Sequence, residues 1–292
     1  MQAAMRRIDA VRLAALAAIW GASFIFIRVV APVLGPVWTT EGRVLIGGLA
    51  LAAWFAHTGF DARWRRHWRF YAAIGIFNSA LPFWFLSFAG LHLAAWLMAV
   101  LNATSPMFGL ALGALFGDER LTPSRLVGLA CGVGGVVLLA WPAHAAVGAR
   151  GSAAELWAAA ACLGASLSYA VGAMLVRRYG ADAPPHGVAI GAQLSAALIL
   201  MPFLAIAPPV SPPSPLVLVN LMASGILASG LALILYFRLV ADIGPARALT
   251  VTFLVPLFAA FWGLVFLGEG LGGGAIAGGA LVLAGTLLAT RR

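Results

Sequence analysis

The chain repeats itself, and that repetition limits the folds open to it more than any other feature. Leu101 to Pro106 (Leu-Asn-Ala-Thr-Ser-Pro) leads into an apolar half-helix. The turn Gly117-Asp118-Glu119-Arg120-Leu121-Thr122-Pro123 follows, and a helix with glycines at 128, 132 and 135 completes the unit. A second copy begins near Val251. Pro256 stands 150 residues after Pro106, as do Glu269 after Glu119, Leu271 after Leu121, Gly278 after Gly128 and Gly285 after Gly135. Upstream, Gly75-Ile76, Ser79 and Leu81 recur at the same spacing as Gly225-Ile226, Ser229 and Leu231. Further back the offset is 149, where Trp20 to Arg28 aligns with Tyr169 to Arg177, as one residue inserted or deleted between helices would produce. In an apolar chain such self-similarity points to a duplicated helical bundle with a site between its halves.

Composition says which kind of bundle. Hydrophobic residues make up 63% and charged residues 9% of the chain, and the mean hydropathy is +1.00. A water-soluble globule holds about 45–50% apolar residues, so this is an integral membrane protein. The apolar runs are long and continuous, which excludes the alternating segments of roughly ten residues that build a barrel. Helices, which satisfy their own backbone in lipid, remain.

All 18 basic residues are arginine, so Schiff-base chemistry on a lysine is excluded. The net charge of +9 fits arginines facing anionic headgroups better than nucleic acid. Cys131 and Cys162 lie in apolar segments and read as packing residues, not a disulfide or metal site. There is no phosphate-cradling loop, paired-histidine zinc motif or haem or iron–sulfur ligand set. Neither an enzyme, a metal site nor any cofactor is expected, and without a soluble nucleotide-binding domain an ATP-driven pump is not expected either.

Ten spans are predicted, each near the ~20 residues a bilayer needs. The first covers 10–30, and the second follows a turn at 31–36 and ends near 57. The others cover 70–90, 94–116, 124–142, 155–179, 186–206, 216–238, 245–267 and 272–290. The arginine-rich segment 63–69 and the proline-rich segment 208–215 read as loops. The start resembles a secretory signal, but removing Trp20 to Arg28 would leave one copy incomplete, so no cleavage is expected. The division is a first repeat at 1–142, a linker at 143–154 and a second repeat at 155–292.

With both termini in the cytoplasm, fifteen arginines fall inside, only Arg150 falls outside, and Arg28 and Arg43 lie within spans. That asymmetry predicts a multi-pass protein of the cytoplasmic membrane with both termini cytoplasmic. Five spans per copy is odd, so the two copies should be inverted, with Glu119 facing the cytoplasm and Glu269 the exterior.

Several residues carry candidate roles. Pro106 and Pro256 each remove a mid-helix hydrogen bond beside polar neighbours, which suggests kinks that line or gate a pathway, although passive kinks would look the same. Glu119 and Glu269 precede helices whose free N–H groups they could accept. The glycine rows at 128, 132, 135 and at 274, 278, 285 read as close-packing faces within each copy, with a dimer face as the minor alternative. A charge at mid-bilayer costs about 2.5–3.5 kcal/mol on insertion scales, so Arg43 should face protein or water. Glu41, two residues earlier, points to another face, and Arg28 is its likelier partner. Either Arg28 or Arg43 could attract a substrate carboxylate, and a structural ion pair is an equal alternative. The polar and aromatic groups Trp20, Ser23, Asn78, Ser79, Trp84, Trp96, Asn102, Ser166, Tyr169, Ser229 and Thr252 are candidates to line a cavity for a small amphiphile. Each could instead be an ordinary interhelical contact.

Taken together, Trp20-Gly21-Ala22-Ser23-Phe24, Arg43, Pro106, the turn through Leu121, Gly128 with Gly135, and Pro256 through Gly268-Glu269 resemble the EamA-type drug/metabolite transporters. Within them the chain resembles in particular the YddG-type aromatic amino-acid exporters. The resemblance covers nearly the whole chain. It implies ten helices in two inverted five-helix repeats, no cofactor, and secondary transport of a small-molecule substrate, typically export of amino acids or related metabolites; separately, a monomer or weak dimer is expected. Two rivals stay open: a multidrug exporter of apolar cations, which needs a buried carboxylate, and a non-transporting scaffold or lipid-flipping subunit, which needs no polar centre.

Overall fold

The computed structural model describes residues 6–57, 61–117, 119, 121–145, 153–270 and 272–290. Among them every regular element is helical. Six helices are long and apolar enough to cross a membrane, by length and composition, and three shorter apolar helices accompany them. The 143–154 linker lies mostly outside the described residues, as do Asp118, Arg120 and Leu271 of the repeated turn.

The first element, α1, is Arg7–Ala56, bent once at Gly35 (φ 74°, ψ 165°). This corrects the expected six-residue turn at 31–36. Only a residue without Cβ takes that φ cheaply, and Pro36 then starts the next turn without needing its missing N–H. Thr39 and Thr40 hydroxyls cap the carbonyls of Gly35 and Pro36, each at 2.7 Å.

The next helix, α2 (Trp64–Gly75), begins within the segment expected to be loop, so Arg65, Arg66 and Arg69 are helical. Asp61 Oδ1 accepts the Arg63 N–H at 2.8 Å, and the buried Tyr71 hydroxyl donates to the Ala62 carbonyl at 2.7 Å. A π segment, Ile76–Ala80, joins α2 to α3 (Leu81–Ala89).

The next span is interrupted. It forms α4 (Ala95–Asn102) and α5 (Ser105–Leu115), with the break at Ala103 and Thr104. Pro106 sits in the first turn of α5, where a missing N–H costs nothing. The unmet carbonyls are served by hydroxyls: Thr104 Oγ1 donates to Leu101 O at 2.6 Å, Ser105 Oγ to Asn102 O at 2.7 Å, and Ser166 Oγ reaches both.

Then come α6 (Pro123–Ala145), α7 (Ala153–Tyr179), α8 (Pro185–Leu204) and α9 (Pro215–Ala223). A second π segment, Ser224–Leu231, precedes α10 (Ala232–Ile243). It falls where the 150-residue offset puts the mate of the first, so the extra residue per turn is a repeated feature. Finally α11 (Pro245–Ala248), α12 (Val251–Leu267) and α13 (Gly273–Thr290) complete the chain. The span that holds Pro256 is interrupted ahead of the proline. The interruption lies at Leu249 and Thr250, and α12 runs on through Pro256.

The glycine rows correct another expectation, because Gly128, Gly135, Gly278 and Gly285 pack between the copies, while Gly132 meets Met107 of its own copy. A Cβ added to Gly285 of α13 would stand 2.6 Å from the Gly128 carbonyl of α6, and one added to Gly135 would stand 2.7 Å from Val282 N. These two helices meet backbone to backbone, which small residues permit. The main buried cluster lies elsewhere, around Leu16, Ile27, Met98, Leu101, Leu239 and Val251.

Candidate functional site

Three places in the bundle combine polar chemistry with burial: one at each end and one at the centre. The basic end gathers Arg6 and Arg12 with Asp242, and Arg66 with Asp182. The far end is reached along α1 at Arg28, sixteen residues past Arg12, or about 24 Å at 1.5 Å per residue.

At the far end Arg28 Nε donates to Glu269 Oε1 at 3.2 Å and its NH1 donates to the Gly90 carbonyl at 3.0 Å. The other carboxylate oxygen, Oε2, accepts the Ala95 N–H at 2.8 Å. Ala95 opens α4, so Glu269 caps a helix N-terminus, where free N–H groups and the dipole favour an anion. Two expectations are corrected here. Glu269 caps a helix of the other copy, not the one that follows it, and Arg28 is the partner of Glu269, not of Glu41. Just below, α1 presses against α12: a Cβ on Gly21 would be 2.7 Å from Phe258 Cβ and 2.9 Å from Ala259 N. Trp262 Nε1 donates to Ala18 O at 3.0 Å, and Trp20 Nε1 donates to Ala228 O at 3.2 Å.

At the basic end the corresponding place is open. A cavity of about 320 Å³ lies between α5 and α7, lined by Pro106, Gly109, Gly113, Ala170 and Met174, with Glu119, Arg125 and Arg177 at its polar side. Arg125 NH1 is 3.1 Å and Arg177 NH1 3.9 Å from the Glu119 carboxylate. The expected capping of the next helix by Glu119 backbone contacts is thus replaced by a side-chain pair with Arg125 in that helix. Both glutamates sit on the same backbone device, since Glu119 N donates to Gly113 O and Glu269 N to Gly263 O, each at 3.0 Å.

At the centre Arg43 is 5% exposed and Nε donates to Ser229 Oγ at 3.0 Å. Its guanidinium lies 3.9 Å from the centroid of the Phe83 ring, which meets Tyr169 edge-on at 6.5 Å. Glu41, Asn102 and Gln193 each bury a side-chain oxygen that has no hydrogen-bond partner among the described residues.

The other sequence candidates divide. Ser79 is buried in the first π segment, and Asn78 beside it is exposed and lies against Gly172 of α7. Ser23 bonds its own helix at Trp20 O, and Thr252 bonds Leu249 O. Trp84 is exposed and stacks on Phe88, while Trp96 packs with Val100, Leu139 and Val282. Of the sequence candidates Pro106 and Glu119 line the cavity. Apart from Arg125 and Arg177, its other walls are glycine, alanine, leucine and methionine side chains, which sequence reasoning missed because they carry no chemical signal. The offset could have found them, since Gly109 and Ala170 are the mates of Ala259 and Gly21.

A profile of the EamA-like transporter family matches residues 10–141 and again 156–291. A probable terminal-alkyne amino-acid exporter of Streptantibioticus cattleyicolor is 27% identical over 282 residues, which is 94% of this chain and 90% of that protein. The uncharacterized inner membrane transporter YedA of Escherichia coli K12 is 29% identical over 266 residues, 89% of this chain and 81% of that protein. A solved crystal structure superposes with a TM-score of 0.66 at 20% identity, covering 98% of this chain and 97% of that one.

Proposed function

The chain belongs to the EamA-like transporter family, and on that premise we propose that it exports amino acids, aromatic or otherwise apolar, or related small metabolites by alternating access. In this reading there are ten spans. The two limbs of α1 count as two, and the short α4–α5, α9–α10 and α11–α12 pieces count as single interrupted spans. The two five-span copies are inverted, with the basic end cytoplasmic. The name of the Streptantibioticus relative supports amino acids as cargo.

One observation carries the mechanism: the same contact occurs twice in this chain, in two states. Gly21 against Ala259 is tight, whereas their mates Ala170 and Gly109 flank the cavity. Arg28 lies 3.2 Å from Glu269, whereas their mates Arg177 and Glu119 are 3.9 Å apart. Two copies of one contact, closed at one end and open at the other, are what a transporter with a central site requires. Exchanging the two states between the copies would expose that site to the opposite side. In this reading the end that stands open is the cytoplasmic one.

The test is uptake into proteoliposomes of purified protein with labelled amino acids, with and without a pH gradient. Saturable uptake of phenylalanine, leucine or their like is expected, and no uptake of any amino acid would sink the reading. A second reading, export of apolar cations, is favoured by one observation, the buried Glu41 with an unpartnered oxygen. Ethidium transport that disappears in Glu41→Gln would establish it instead.

A further inference from the structure

We propose that Arg43 is the carboxylate-binding residue of this transporter, holding the acid end of the cargo between the two copies. The proposal rests on the transport reading above and adds the group that recognises the cargo.

Arg43 lies eight residues past the Gly35 bend, about 12 Å along the second limb of α1. A cation at that depth must be compensated. The other arginines of the site are: Arg28 has Glu269, and Arg125 and Arg177 share Glu119. Arg43, by contrast, makes no ion pair among the described residues, and Ser229 is its one hydrogen-bond partner among them. Glu41 does not supply the missing charge, because residues two apart on a helix point to different faces, and its own Oε2 is unpartnered.

A guanidinium offers five N–H donors in one plane. Here Nε is taken by Ser229 and one face by the Phe83 ring. The edge formed by the two terminal nitrogens remains, and its spacing matches the two oxygens of a carboxylate. Phe83 and Tyr169 form an apolar wall beside it that strengthens such a pair by excluding water.

The repeat adds a second argument. The mate of Arg43, 150 residues on, is Gln193, which is 3% exposed with Oε1 unpartnered. Both copies place a polar side chain here, but only one is charged, which suits a cargo with a single acid end. The chemical class is therefore a small carboxylate with an apolar body, apolar amino acids among them, as against the corresponding amines.

The experiment measures ligand-induced shifts in thermal unfolding of the full chain in lipid nanodiscs. The probes are the common amino acids, 3-phenylpropanoate, and phenethylamine, which is phenylalanine without its carboxylate. Wild type should respond to phenylalanine and 3-phenylpropanoate and not to phenethylamine. Arg43→Gln should weaken the carboxylates about ten- to a hundredfold, and Arg43→Lys, which keeps the charge but loses the fork, by less. If Arg43→Gln fails to fold, Ser229→Ala leaves the charge but frees the guanidinium, and a severalfold weakening is expected. Carboxylate affinity within twofold of wild type in Arg43→Gln, or no response of wild type to any carboxylate, overturns the proposal. Binding that depends on Arg43 without transport upholds it while sinking the transport reading. Transport that Arg43→Gln leaves unchanged does the reverse.

Discussion

Single residues decide which end of the bundle is closed. Glu269 holds Arg28 and the Ala95 N–H together, and hydrogen bonds to a charged group contribute about 1.5–3 kcal/mol each. Glu269→Gln should therefore shift the population toward states open at the far end by about ten- to a hundredfold. After replacement of Cys131 and Cys162, a cysteine at Leu93, buried between Gly90 and Ala95, reads the shift through its labelling by a membrane-impermeant thiol reagent from that side. Glu119→Gln should move the balance much less, because the Glu119 and Arg177 side chains are 39% and 49% exposed and water screens the pair. Equal labelling rates in the two variants would refute the assignment. Sequence reasoning found all four residues through the offset but not their pairing. Arg28 and Glu269 are 241 residues apart, and nothing local in either copy says that each arginine reaches across to the other copy's glutamate.

Helices were legible as elements, and their interruptions were not. Every long apolar run is helical, because lipid leaves the backbone no other way to satisfy itself in an open chain. Yet Pro106 and Pro256, equivalent in sequence, sit in different surroundings. Ser166 supplies a hydroxyl to the carbonyls at 101 and 102. Its mate Ala17, fully buried, supplies none, and α12 continues through Pro256. The break beside Pro106 coincides with a hydroxyl from the neighbouring helix, which the mate of that helix lacks.

The glycine rows make a sharper prediction at this scale. Gly285→Ala would push a methyl against the Gly128 carbonyl at 2.6 Å, and backbone cannot give way as a side chain can. A loss of about 1–3 kcal/mol is expected, read as a lower unfolding temperature in detergent. Gly273→Ala, at the start of the same helix with nothing within 4 Å, should be neutral or slightly stabilising.

For the molecule as a whole, alternating access predicts that the far end must open in every cycle. After replacing Cys131 and Cys162, cysteines at Ala94 and Gly270 flank the Ala95–Glu269 hydrogen bond. Bridging them with a short bifunctional thiol reagent should abolish uptake, and reduction of a cleavable bridge should restore it. Uptake that persists through the bridge would mean that the cargo crosses without this end opening.

What the sequence determined by itself was the class and the plan: a helical membrane protein, from the apolar content, and a duplicated chain, from the constant offset. Both are properties of composition and spacing, which survive without knowing any contact. Only the tertiary structure decided that Gly128 meets Gly285, that Arg28 closes on Glu269 while Arg177 stands off from Glu119, and that Arg43 is left without an acid. Those outcomes depend on which helix lies beside which across the two copies, so that contacts whose sequences are nearly the same stand at 3.2 Å in one copy and 3.9 Å in the other.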